Sequence, residues 1–226
     1  RRVCIYFDGI EDSEAYGNLL LGAGASTVNP YSSITAEGRN WNQMGIWLNA
    51  EIYPNTTALA MSNNKIHNNI IAGLYTGIGI ATEIGGTVEN IEVSNNTLIA
   101  NKQNISISQY IDQCTTTNFN IRNNISFCPS DAISNNYKTD YSWMEDKISF
   151  SNNAWTGAIP TYIGSPSDIL INTNFAKTSG WQNLSGPIDA ANAKLLSGST
   201  AIEAGATIAS LLTDYFGNTR TAPYDI

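Results

Sequence analysis

The chain has 226 residues, only 13% of them charged, and 19 acidic against 11 basic side chains give a formal net charge of -8. That balance argues against nucleic-acid binding, which needs a basic stripe, and it disfavours unaided binding of polyanionic sugars. No run of 18 apolar residues is present to span a membrane, nothing at Arg1 resembles a signal peptide, and the length suits one substantial core.

In chain order, the first element is Tyr16 to Gly22, which runs parallel in pattern to the later stretch Ile66 to Gly73. The chain thus enters a repeat midway, and further coils are expected before Arg1. A long excursion between Gly22 and Gly45 carries Tyr31, Arg39 and Trp41. Long loops on a regular scaffold tend to be functional or mobile, so it is the first place to look for a ligand, a cap over an exposed edge being the competing reading.

Two short patterns then alternate. One is an apolar-alternating run ending in a double asparagine, at residues 59–64, 91–96, 119–124 and 148–153; the other is Ile46-Trp47-Leu48, Ile78-Gly79-Ile80, Ile105-Ser106-Ile107 and, more weakly, Ile133. The second asparagines recur at steps of 32, 28 and 29 residues. A period of about 28 with strand-like alternation predicts an all-β solenoid whose strands pair in parallel from coil to coil, roughly 4.8 Å apart. Met61, Val93, Ile121 and Phe150 are expected inside one sheet, and Leu48, Ile80 and Ile107 inside another. Asn63, Asn95, Asn123 and Asn152 are expected to form a structural ladder, with Asn64, Asn96, Asn124 and Asn153 in the strained corners, because Asn tolerates the left-handed conformation and bonds neighbouring backbone. His67 reads as a turn or surface residue. Cys4, Cys114 and Cys128 match no metal spacing and read as free buried thiols, with a Cys114–Cys128 disulfide as the alternative. Asn55, Asn95, Asn104, Asn124 and Asn183 open glycosylation sequons of mostly chance origin.

The repeat fades after Trp155, which divides the chain into coils at 1–156 and an irregular extension and cap at 157–226. Within the extension, Leu195 to Gly205 (LLSGSTAIEAG), Thr213 to Arg220 (TDYFGNTR) and Tyr224-Asp225-Ile226 resemble the closing segment of secreted proteins of the pectate-lyase-like superfamily. The resemblance implies a right-handed parallel β-helix, an extracellular or cell-surface setting, and polysaccharide or surface glycan as substrate or ligand. It implies no single activity: members include lyases, hydrolases, phage tail-spike modules and surface proteins without known chemistry, and a structural spacer within a larger chain or assembly is a further reading.

Aligning Ile46, Ile78, Ile105 and Ile133 places Glu51, Glu83, Tyr110 and Lys138 in one outward column. The carboxylate pair, about one coil apart, would share a proton or bind a cation such as Ca²⁺, or act as acid and nucleophile on a glycosidic bond; Tyr110 or Lys138 would be the base of a lyase. Polar strand ends splayed into solvent are the competing reading. Trp47, close in sequence to Tyr31, Arg39 and Trp41, completes a candidate sugar-stacking cluster, since a flat ring covers the apolar face of a pyranose. Trp143, Trp155 and Trp181 are expected to pack the end of the solenoid.

Overall fold

The computed structural model describes residues 2–22, 42–50, 60–82, 86–107, 115–130, 135–139, 147–161, 163–172, 174–177, 181 and 189–226. The first coil contributes β1 (Arg2–Asp8), β2 (Glu14–Tyr16) and β3 (Leu19–Leu21). The second contributes β4 (Asn42–Ala50), β5 (Ala60–Ser62), β6 (Lys65–His67) and β7 (Ile70–Ala72), and the third β8 (Thr76–Thr82), β9 (Thr87–Ser94) and β10 (Thr97–Ile99). The fourth gives β11 (Gln103–Ile107), β12 (Thr115–Arg122) and β13 (Ile125–Phe127); the last gives β14 (Asn135–Thr139), β15 (Ile148–Ser151) and β16 (Ala154–Trp155), followed by β17 (Ile169–Leu170). Strands at the same place in successive coils pair in parallel and build three sheets. Sheet A is β1-β4-β8-β11-β14, sheet B is β2-β6-β9-β12-β15 with β5 also on β9, and sheet C is β3-β7-β10-β13-β16-β17. This is the parallel β-helix that the period predicts.

The inward columns explain its stability. Ile46, Ile78 and Ile105 are in register on sheet A, while Ile66, Val93, Ile121 and Phe150 are in register on sheet B. These side chains are buried in one continuous cluster, and each large aliphatic contributes roughly 1.5–3 kcal/mol by leaving water. Tyr137, not Ile133, continues the Ile105 column. It packs edge-on against Phe150, with ring centroids 5.9 Å apart.

Each coil turns through asparagines in the left-handed region, and there are two such columns. The first is Asp12, Asn63, Asn90 and Asn118; the second, five residues later, is Gly17, Asn68, Asn95, Asn123 and Asn152. Sequence alignment had merged the two. Asn63-Asn64 stands at the first corner, and Asn68-Asn69 is the true counterpart of Asn95-Asn96, so the steps along the second column are 27, 28 and 29.

The division of labour within each pair is also the reverse of the expectation. Asn95, Asn123 and Asn152 have φ of 53°, 55° and 52° and occupy the corner, and Asn63 does the same in the other column at 56°. Their neighbours turn inward and form the ladder. Asn18 donates to Asn69 Oδ1, Asn69 to Asn96, Asn96 to Asn124 and Asn124 to Asn153, each through Nδ2 at 2.9–3.1 Å. Asp168 terminates the chain, accepting from Asn153 N and, through its other oxygen, from Trp155 Nε1. The physical reason is geometric: the first residue of the pair adopts the left-handed turn and points out, which leaves the second at a strand entrance facing the interior.

A second ladder runs outside along the first corner. Asn118 donates to Asn90, Asn90 to Asn63, and Asn63 to the Asp12 carboxylate. It runs toward the first coil, whereas the inner ladder runs toward Asp168. Three of the sequon asparagines, Asn95, Asn104 and Asn124, are buried and closed to glycosylation as folded. Cys4 is exposed and Cys128 half-buried, contrary to the expectation of buried thiols.

Residues 159–168 close the far end, where Ile159 and Ile163 join the interior cluster. The remainder of the extension returns along the side of the helix. Phe175, Trp181, Ala201 and Ile226 pack on the outer face of sheet C against Ile70, Ile99, Ile125 and Phe127. Both faces of sheet C are therefore covered, which accounts for its apolar strands, such as the fully buried Ile70-Ile71-Ala72. Trp155 packs inside the helix, as expected, but Trp181 covers its flank; Trp143 lies outside the described residues. Among the described residues no helix is long and apolar enough to cross a membrane.

Candidate functional site

Most of the sequence-nominated site lies outside the described residues: Glu51, Glu83 and Tyr110 of the outward column, and Tyr31, Arg39 and Trp41 of the loop. The candidate Ca²⁺ ligands are among these. Within the described residues no group of three His, Cys, Asp or Glu is placed to hold a metal ion. Lys138 is the one member of that column within the described residues. It pairs with Ser106, which pairs with Gly79, which pairs with Trp47 and then Tyr6. The displacement follows from Tyr137 taking the place assigned to Ile133.

Trp47 does lie in an outward column but is only 6% exposed. Its six-membered ring covers Gly79, where an added Cβ would stand 1.9 Å from Trp47 Cε3. The indole therefore packs on backbone and offers no open stacking face.

The side chains that do meet around a cleft are on sheet B and the returning tail. Ala15 and Ile66 face inward in register, so Glu14 and Tyr16 on β2, and His67 on β6, all project outward beside one another. His67 Nε2 meets Glu14 Oε1 at 2.5 Å. Tyr16 stacks on the imidazole with ring centroids 5.3 Å apart and 5° between planes. The opposite wall is formed by Leu211, Leu212, Thr213, Asp214 and Tyr215, and the cleft encloses about 310 Å³. Tyr16 is 61% exposed and Leu212 65%, so each side of the cleft carries a large exposed apolar surface. His67, expected at the surface, is buried under this arrangement.

The corner asparagines hold the second wall in place. Asn68 Nδ2 donates to Thr213 O at 2.9 Å, Asn95 Nδ2 to Asp225 O at 3.2 Å and Asn123 Nδ2 to Ala206 O at 2.7 Å; Ala206 N donates back to Asn123 Oδ1 at 2.9 Å. Arg220 cross-links the same segment. Its Nη2 donates to Asn68 Oδ1 at 3.0 Å, its Nη1 to Asp225 O at 3.2 Å and its Nε to Thr213 O at 3.2 Å. Burial lowers the guanidinium pKa from its ordinary value, and the nearby Asp214 and Asp225 carboxylates oppose that shift. Thus Asn68, Asn95 and Asn123 recognise tail backbone, while their neighbours Asn69, Asn96 and Asn124 satisfy the interior.

Further along sheet B, Arg122 grips Glu92 through Nε and Nη2 at 2.8 and 2.9 Å, a fork-to-carboxylate pair spanning adjacent strands. It occupies the same diagonal position as His67 and Glu14 one coil pair earlier. Sequence reading did not group Glu14, Tyr16 and His67 because the corners were misaligned. The alternation around Ala15 and Ile66 was the signal that would have placed Glu14, Tyr16 and His67 on one outward face.

No model of a known protein family matches the chain, and no curated protein matches it.

Proposed function

We propose that the chain is an extracellular or cell-surface β-helix protein that binds polysaccharide in the cleft between sheet B and the returning tail. The observation that carries this reading is the Tyr16 ring, stacked on His67 and 61% exposed, in a cleft lined also by Leu212, Glu14 and Asp214. A rigid exposed ring beside hydrogen-bonding groups suits a pyranose, whose apolar face stacks while its hydroxyls bond the floor. The resemblance of residues 195–226 to the tails of pectate-lyase-like proteins supports the same ligand class. Non-catalytic recognition is the function favoured here, because the exposed Tyr16 ring supplies a binding platform and the imidazole beside it is buried against Glu14.

Affinity electrophoresis of the full chain through gels containing neutral, acidic and basic polysaccharides tests the reading. Retention by at least one glycan, lost in Tyr16→Ala without loss of thermal stability, supports it. Retention unchanged by Tyr16→Ala, or no retention by any glycan, overturns it. Following reducing ends and unsaturated products in the same incubations reports lyase or hydrolase activity, and their appearance would replace the binding reading with a catalytic one.

A further inference from the structure

We infer that the glycan of this cleft runs on into a second, adjoining cleft, where a further sugar ring stacks on Phe216; the inference rests on the binding reading above. The second cleft encloses about 170 Å³ and is lined by Lys194, Ile202, Phe216 and Arg220 among others. It shares Asp214 and Tyr215 with the first, so the two lie side by side along one stretch of tail, Leu212 lining the first and Phe216 the second. Cα atoms four residues apart are at most about 14 Å from one another, within the reach of a short oligosaccharide.

Exposed apolar surface is concentrated at the same place. Among the described residues eight large hydrophobic side chains are exposed, and four of them, Tyr16, Leu212, Ile202 and Phe216, line these two clefts. Exposed apolar residues scattered singly are ordinary, but a cluster of them marks a contact surface. Phe216 is 45% exposed and Ile202 37%. Tyr215 braces the Phe216 ring edge-on, with centroids 5.1 Å apart and 77° between planes, so the second cleft repeats the device of Tyr16 on His67, an exposed ring packed on another. Such a ring suits the apolar face of a pyranose, and a cavity of about 150 Å³ takes one six-membered ring. Polar partners for the hydroxyls stand beside it. The Lys194 ammonium has no partner among the described residues, and the three bonds of Arg220 use three of the five N–H groups of a guanidinium. Lys194 and Arg220 are balanced by Asp214 and Asp225 along the same lining, which suits a hydroxylated ring over an ion of either sign.

The experiment is a calorimetric titration of the full chain with cello-oligosaccharides, N-acetylated chito-oligosaccharides and oligogalacturonates of one to six rings. In at least one series affinity is expected to rise at least fivefold between the one-ring and three-ring members, about the worth of one further aromatic contact. Phe216→Ala should bring the three-ring member down to the affinity of the one-ring member, whereas Phe216→Tyr, which keeps the ring, should retain the rise. Tyr16→Ala should weaken every length. Affinity that does not change with length, or that Phe216→Ala lowers at every length alike or at none, overturns the second cleft and leaves the first standing. Absence of binding to all three series overturns both.

Discussion

Replacing Asn96 with alanine isolates the role assigned to the inward asparagine. The residue is completely buried. Its Oδ1 accepts from Asn69 N at 3.1 Å and from Asn69 Nδ2 at 2.9 Å, and its Nδ2 donates to Ile66 O and Asn124 Oδ1, both at 2.9 Å. Truncation orphans the Asn69 amide and takes the side-chain donor from the Ile66 carbonyl, which stays in the β6–β9 ladder. The other two partners keep a bond, since Asn69 Nδ2 still reaches Ala15 O and Asn124 Oδ1 still accepts from Asn96 N. One orphaned buried amide at about 1–3 kcal/mol, with the lost bond to Ile66 O at about 1 kcal/mol, gives a loss of about 3 kcal/mol. Asn95→Ala loses one bond, to Asp225 O, and places alanine in the left-handed region, for about 2 kcal/mol together. Asn95→Gly relieves the backbone and should cost about 1 kcal/mol. Urea unfolding followed by circular dichroism measures all three. Asn95→Ala costing more than Asn96→Ala, or Asn96→Ala costing under 1 kcal/mol, would refute the assignment.

Other outcomes follow from the same geometry. Gly79→Ala drives a methyl into the Trp47 ring and should destabilise by about 1–3 kcal/mol, read from the melting temperature; an unchanged melt would show that Trp47 is free to move. Arg220→Ala removes three bonds that hold the tail, so limited proteolysis should cut within residues 205–226 while the coils stay intact, and a wild-type cleavage pattern would contradict the clamp. Glu92→Gln, which weakens the partly exposed pair with Arg122, should cost no more than about 1 kcal/mol at low salt and less at high salt by the same unfolding assay; a larger loss would mark the pair as structural.

The fold was legible because burial imposes a period. Inward isoleucines and valines must align for parallel strands to share a core, and Ile46, Ile78 and Ile105 recur accordingly. Local spacing was less informative where two chemically identical corners lie five residues apart: Asn63-Asn64 and Asn68-Asn69 carry the same letters, and only strand register tells them apart. Ile133 misled for a related reason, since composition favoured isoleucine at a position that Tyr137 fills by pairing with Ile105. The cleft was hidden more deeply. Its walls come from residues 14–17, 67–68 and 210–217, and nothing in the local sequence shows that the tail returns to the first coil. The tail motifs did mark residues 195–226 as a distinct unit, and asparagine side chains at the corners turn out to be what that unit docks on.

The most direct test of the account is hydrogen-exchange mass spectrometry of the full chain with and without the tightest-binding oligosaccharide of the panel. Slowed exchange confined to peptides covering residues 14–17, 67–68 and 211–217 is the predicted result. Protection on the strands of sheet A instead, or no change anywhere at saturating ligand, would contradict it.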